Sequence, residues 1–473
     1  MAAVAMGVFL ATIDGSIVNI ALPVLAKDLQ VEFSVIEWVV LSYLLTITTL
    51  MLSIGRLADM IGKKKIYASG FVIFTLGSAL CGSVTHIGLL IGFRVLQAVG
   101  ASMLMALGTA IVTEAFPAHE RGKALGIMGS VVSIGIIIGP TIGGFILEAA
   151  SWQWLFFVNV PIGVIGVLMV LKYVPAVRPT ESEKFDFWGA GLLFVCLLSL
   201  LLGLSISQTL GFADLRVVGL LAVAVLFVFG FIFVELRQPQ PMIDLRIFTN
   251  RLLSINLVTG FLGFIGVSGT MILMPFYLQN ILLLSPRDAG ILMGVVPLVV
   301  GIVAPISGNI SDRIGPRPLT AIGLFILIFG FVSVSTLDAS TTAAGYALHF
   351  LPVGLGLGLF QSPNNSAIMG TAPKNRLGIV SGMLAITRTL GQISGISILG
   401  AVWASRVGFY IGSGNGNVDA TQAPVPAQIA GLHDTIYLVA GLLIFAFLLS
   451  LWALYQVIGK RSAAQPQINR AVD

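Results

Sequence analysis

Long apolar runs of about 20 residues, separated by short breaks rich in charge, proline or glycine, set the pattern of this chain. The runs fall at roughly 4–26, 36–57, 66–85, 87–114, 124–148 and 155–173, then at 187–208 and 216–235. Six more follow at 251–278, 289–310, 318–336, 343–370, 378–402 and 435–457. A run of about 20 apolar residues is the length an α-helix needs to cross the hydrocarbon core of a bilayer. The pattern therefore predicts an all-α polytopic membrane protein with about fourteen spans, and an even count puts both termini on one side.

Composition agrees, since hydrophobic residues are 57% of the chain and charged residues only 10%. A water-soluble protein of 473 residues with this balance would expose large apolar patches. No basic leader or small-residue cleavage site precedes the first run, so that run is read as a retained helix. It opens so close to Met1 that a short basic leader is expected ahead of it.

Charge orients the spans. With the amino terminus inside, nineteen of the 25 basic residues fall in inner loops or the tail, clustered at Lys63–Lys65, at Arg121 and Lys123, and at Lys460 and Arg461. Only Lys27, Arg216, Arg287 and Arg406 fall outside. The asymmetry puts both termini in the cytoplasm and leaves the basic clusters needing no nucleic-acid partner. Trp38, Trp152, Trp154, Trp188, Trp403 and Trp452 lie at or near span ends and read as an interfacial belt. Cys81 and Cys196 sit inside apolar runs as space-fillers, and the four histidines lack ligand spacing, so no metal site is expected.

The inner loops reveal an internal repeat. Gly55 to Gly62 (GRLADMIG) recurs as Gly308 to Gly315 (GNISDRIG), and Pro117 to Gly126 (PAHERGKALG) recurs as Pro373 to Gly382 (PKNRLGIVSG). The division that follows is a six-helix half at 1–175, a central two-helix hairpin with its linkers at 176–247, and a second six-helix half with a short tail at 248–473. Parallel repeats of this kind are one way secondary transporters are built. The stretch 411–430 is polar and rich in Gly and Pro, and reads as a flexible outer loop.

Ionisable groups inside spans are costly, about 2.5–3.5 kcal/mol for a carboxylate on insertion scales, and so point to function. Asp14 lies at the middle of the first span and is read as the only acid so placed in any of them. Arg94 and Gln97 in the fourth span are three apart and share a face, which makes Arg94 the natural partner of Asp14. Polar residues in the spans of the second half are Asn256, Gln279, Gln361, Asn364, Asn365, Arg388 and Gln392. Asn256, Gln361, Asn364, Asn365 and Arg388, with Asn19 and Gln97 of the first half, are the candidate substrate-cavity residues, though each amide serves equally well as a helix–helix hydrogen bond. In the fifth span Gly135 and Gly139 form a GxxxG face for close helix approach, and Pro140, Gly143 and Gly144 follow.

Together these residues resemble the major facilitator superfamily, and within it the fourteen-helix drug:H+ antiporter branch. The resemblance rests on Gly55 to Lys65 (GRLADMIGKKK), on Arg94 to Gly100 (RVLQAVG) and on Gly135 to Gly144 (GIIIGPTIGG). Asp14 to Pro23, with its acid, Asn19 and Ala-Leu-Pro, adds to it, as does Ser151 to Pro161. The resemblance implies a major facilitator fold driven by the proton gradient without a cofactor, with a small-molecule substrate, protons and the bilayer as partners, acting as a monomer. It implies that Asp14 and Arg94 couple the proton. It also implies that Gly55, Asp59, Gly62, Lys63 and Glu114, with Gly308, Asp312 and Gly315 in the repeat, latch the halves, and that Gly135, Gly139, Pro140, Gly143 and Gly144 seal them. Met60 and Gln153 stand where the family commonly has basic residues.

The Gly55 loop does not satisfy GxxxxGK[ST], so no nucleotide is expected. No grouping of nucleophile, histidine and acid supports a membrane enzyme. The leading expectation is a proton-coupled exporter of drugs or other lipophilic, often cationic, molecules in the bacterial cytoplasmic membrane. The same scaffold exporting an endogenous metabolite, siderophore or lipid is the alternative, and a non-transport membrane protein ranks below both.

Overall fold

A computed structural model describes residues 1–116, 121–175, 187–238, 249–371, 377–412 and 419–469. Among these residues there is no strand. Thirteen helices among the described residues are long and apolar enough to cross a membrane, and Ile134–Ala149 forms a shorter apolar stretch.

The first half comprises α1 (Ala2–Leu29), α2 (Phe33–Ile36), α3 (Trp38–Ile61), α4 (Lys63–Gly82), α5 (Ile87–Ala115), α6 (Arg121–Ala149), α7 (Trp154–Phe157) and α8 (Asn159–Tyr173). A central hairpin follows, α9 (Phe187–Leu210) and α10 (Leu215–Arg237). The second half begins with α11 (Arg251–Phe276), which widens into a π-turn at Tyr277–Ile281. It continues with α12 (Pro286–Met293), α13 (Val295–Ile314), α14 (Pro316–Val334), α15 (Ala343–Gly370), α16 (Leu377–Ile411) and α17 (Val425–Asn469).

Local chemistry sets the ends of these helices. The side chains of Asp214, Asn250, Ser285 and Thr342 accept from backbone N–H groups of the second or third residues of α10, α11, α12 and α15, which satisfies donors that have no partner inside a helix. The two repeated loops turn in the same way. Gly62 ends α3 at φ 108° and Gly315 ends α13 at φ 88°, in left-handed backbone that residues with a Cβ rarely adopt.

Among the described residues the halves meet mainly at one end of the bundle, the end that the charge asymmetry assigns to the outside. There Phe33 packs edge-on against Phe276 and Trp403, with ring centroids 5.2 and 5.3 Å apart. Gln279 Nε2 donates to Ile20 O at 2.8 Å, and the Thr141 hydroxyl donates to Gly290 O at 3.3 Å. A Cβ at Gly144 would come within 2.4 Å of Pro286 O, and one at Gly290 within 2.3 Å of Pro140 O, so only glycine lets α6 and α12 approach this closely. Within the hairpin, α9 packs on both α3 and α16. Its partner α10 turns Val225, Leu226, Phe229 and Phe233 outward, an apolar face suited to lipid.

Two expectations need correction. Trp152 and Trp403 do not join an interfacial belt: each is 3% exposed, and the Trp403 indole N–H donates to Gln428 O inside the seam. The segment 411–430 is no continuous loop, because Ala420–Gln422 is a 3₁₀ turn and α17 starts at Val425. The Asp419 carboxylate also accepts from Phe33 N at 3.3 Å and pins that turn to the first half, while residues 413–418 lie outside the description. The span expected at 289–310 is present as Pro286–Ile314, formed by α12 and α13 meeting at Gly294.

Replacing Gly315 by Ala forces a Cβ into this glycine-only backbone region and is expected to destabilise the protein by about 1–3 kcal/mol. A lower midpoint of thermal unfolding in detergent, followed by tryptophan fluorescence, checks this.

Candidate functional site

Asp14 sits halfway along α1 and is fully buried. Its carboxylate accepts three hydrogen bonds. Arg94 Nη1 donates to Oδ2 at 2.6 Å, while Gln97 Nε2 and Asn159 Nδ2 each donate to Oδ1 at 2.8 Å. The donors come from α5 and from the first turn of α8, so the cluster ties three helices of the first half together.

The partners are themselves held. Arg94, at 0% exposure, also donates through Nε to Val39 O at 3.0 Å and through Nη1 to Gln97 Oε1 at 2.6 Å. Its guanidinium lies 4.1 Å from the centroid of the Tyr43 ring, and the Tyr43 hydroxyl donates to Ala11 O at 3.1 Å. Gln97 Nε2 also donates to the Ser78 hydroxyl at 2.7 Å. Arg94 Nη2 is buried without a partner among the described residues, which leaves one spare donor in the cluster. The buried carboxylate is thus met by three donors, one of them cationic.

The glycine motif of α6 holds α1 in place. Gly135, Gly139 and Gly143 face Thr12, Ser16 and Ile20, so close that a Cβ at Gly139 would reach within 1.8 Å of Ser16 Oγ. The Ser16 hydroxyl donates to Gly135 O at 3.1 Å. Pro140 and Gly144 of the same helix touch α12 of the other half. One helix thus packs on the carboxylate's helix and also on the opposing half.

The other candidates lie elsewhere. Lys63 and Glu114 form an ion pair at the inner end of the first half. Gly55 is half-buried there, and the Asp59 side chain lies outside the described residues. Gly308 approaches Ser362, and Asp312 is exposed. Asn19 is half-buried, and its Oδ1 has no partner among the described residues. Asn364 Nδ2 donates to Asn256 O at 3.1 Å, whereas Asn256 Nδ2 and Asn364 Oδ1 are buried without partners among the described residues. Gln361 and Asn365 are half-buried. Arg388 is half-buried over the Phe264 ring at 5.5 Å, and no carboxylate pairs with it among the described residues. The structure therefore gathers Asp14, Arg94 and Gln97 into one cluster and leaves the second-half amides and Arg388 apart from it.

Asn159, Ser78 and Tyr43 belong to the cluster and were not among the sequence candidates. Asn159 carried a signal, an amide just inside an apolar run and ahead of Pro161. Ser78 and Tyr43 carried none. Glu37 was also passed over: it stands at the edge of a run, yet it is fully buried.

A helical bundle in two repeated halves is one architecture that membrane transporters use. Residues 4–396 match the Major Facilitator Superfamily, and the chain belongs to that superfamily. It is 38% identical over 414 residues to a riboflavin transporter of Clostridioides difficile (strain 630), covering 85% of this chain and 88% of that protein. It is 31% identical over 439 residues to the multidrug transporter protein MdtP of Bacillus subtilis (strain 168), covering 91% and 80%. Among solved structures, a bacterial homologue of the human lysosomal transporter Spinster, inward-facing and unoccupied, superposes with a TM-score of 0.66 at 18% identity over 95% of both chains. The chain is a multi-pass cell membrane transporter and not an enzyme.

Arg94→Met leaves the buried carboxylate uncompensated and is expected to destabilise by about 3–5 kcal/mol. Asp14→Asn in the same chain should return most of that loss, and thermal unfolding of the single and double variants checks the pair.

Proposed function

We propose that this protein is a proton-coupled antiporter that exports a small molecule by alternating access, with Asp14 as the coupling carboxylate and Arg94 as its counter-ion. The observation that carries this reading is the fully buried Asp14–Arg94 pair at mid-span. In a bilayer such a pair is retained where a proton or substrate must be handled. With the outer end sealed, Arg94, Gln97 and Asn159 hold the carboxylate charged. When the halves rock and water reaches α1 from outside, hydration loosens those contacts and a proton takes the place of Arg94 at Oδ2. Return to the inward-facing state re-forms the ion pair and sends the proton to the cytoplasm. The Lys63–Glu114 pair would steady the first half during rocking, and the α6 glycines would carry the motion of α1 to α12.

The leading substrate class is lipophilic small molecules, including drugs, which the multidrug-transporter relatives support. Arg388 favours a second reading. A half-buried arginine with no carboxylate partner among the described residues suits a planar or acidic metabolite that offers hydrogen-bond acceptors, and the similarity to a riboflavin transporter points the same way.

Asp14→Asn is expected to insert normally and to abolish substrate-induced proton movement in energised inside-out vesicles read with a pH-sensitive dye. Full retention would contradict the assignment. Arg388→Gln should slow transport of a flavin-like substrate about tenfold, the loss of one charge-assisted hydrogen bond. It should leave transport of an ethidium-like cation unchanged, and parallel flux assays with the two compounds separate the readings.

A further inference from the structure

Glu37 leads into α3 at the sealed end of the bundle, and its exposure is 0%. Three parts of the protein converge on it. The residue belongs to the first half, Gln208 reaches it from α9 of the central hairpin, and Gly400 of α16 lies so near that a Cβ there would come within 3.0 Å of Glu37 Oε2. Neighbouring contacts fasten the same junction: Trp38 Nε1 donates to the Ser205 hydroxyl at 2.9 Å, and that hydroxyl donates to Ser34 O at 2.8 Å.

The hydrogen bonding at Glu37 is incomplete in a particular way. Gln208 Nε2 donates to Glu37 Oε1 at 2.9 Å. Glu37 Oε2 and Gln208 Oε1 are both buried with no partner among the described residues. Both orphans are acceptors, so the missing group is a donor.

Charge gives the same answer. Around the junction, α9 presents neutral Ser205 and Gln208, Glu32 ahead of α2 is exposed, and Lys27 and Asp28 at the end of α1 are exposed. Asp419 accepts from Phe33 N, and Arg406 of α16 is engaged by Asp434 at 2.6 Å. No lysine or arginine pairs with Glu37 among the described residues. A lone buried carboxylate costs several kcal/mol, whereas a proton on Oε2 removes the charge and supplies the absent donor, which a rotated Gln208 amide can accept.

We propose that Glu37 is a second proton-binding site, which holds its proton while the outer seam is closed and releases it to external water when the seam parts. Release breaks the Oε2–H bond, and the proton passes to water in the adjoining cleft of ≈ 110 Å³, lined by Glu32, Ser34, Gln208, Ala404 and Asp419. The central hairpin then has a role: α9 brings the amide that recognises the protonated carboxyl. The inference uses the alternating-access reading for its consequence but does not depend on proton binding at Asp14.

Infrared spectroscopy of the full-length protein in lipid vesicles at neutral pH tests it through the C=O stretch of a protonated carboxyl, identified by its shift in heavy water. The band is expected in the wild type and in Asp14→Asn, and is expected to vanish in Glu37→Gln. A band of undiminished intensity in Glu37→Gln overturns the proposal, whatever becomes of Asp14. Gln208→Ala removes only the recognising amide and should shift the band's frequency; an unmoved band also overturns it. An Ala404→Cys reporter reads the release. Its labelling by an impermeant maleimide, relative to the same reporter in Glu37→Gln, should rise several-fold as external pH is raised, and a constant ratio contradicts release into the cleft.

Discussion

A carboxylate and a guanidinium share one dry position in the first half, and much of the surrounding structure keeps them there. The desolvation of Asp14 and Arg94 is offset by the hydrogen bonds and ring contact around them, from Gln97, Asn159, Val39 O and the Tyr43 ring. That arrangement requires α1, α5 and the start of α8 to keep their register. The glycine face of α6 supplies it on the other side of α1, with no side chain between Gly139 and Ser16.

The seam between the halves is different in kind. It is built from aromatic edges at Phe33, Phe276 and Trp403, single hydrogen bonds such as Gln279 to Ile20, and glycine-mediated backbone contact between α6 and α12. Such contacts can part and re-form, and the charged ones beside them, Glu148 with Arg287 and Asp419 with Phe33 N, are partly exposed to water. The rigid polar cluster and the separable seam are joined by α6, so a change in one is felt in the other. This is what a two-state transporter needs.

Much of the fold was legible in the sequence, because in a bilayer span length and loop charge are set by the solvent. The pairing of Arg94 with Asp14 was legible from one isolated acid and one RxxQ face. Asn159 was harder to see, since its part in the cluster depends on the break between α7 and α8 turning an amide toward a helix distant in sequence. Glu37 was passed over because an acid next to a tryptophan at the edge of an apolar run gives no sign of burial. Its burial comes from α9 and α16, and no local pattern announces where those helices pack. Trp152 and Trp403 were misplaced for the same reason: span ends that meet another part of the protein do not meet the headgroups. The division into two halves and a hairpin remains a reading of the repeat, and α9 packs on α3 and α16 alike.

The central claim is that Asp14 carries the proton that is coupled to substrate. Its most direct test is proton release by the purified protein in weakly buffered detergent, read with a pH indicator as substrate is added. The account predicts that the wild type releases protons in proportion to the substrate bound and that Asp14→Asn binds substrate without releasing any. Equal release from the two proteins would contradict it.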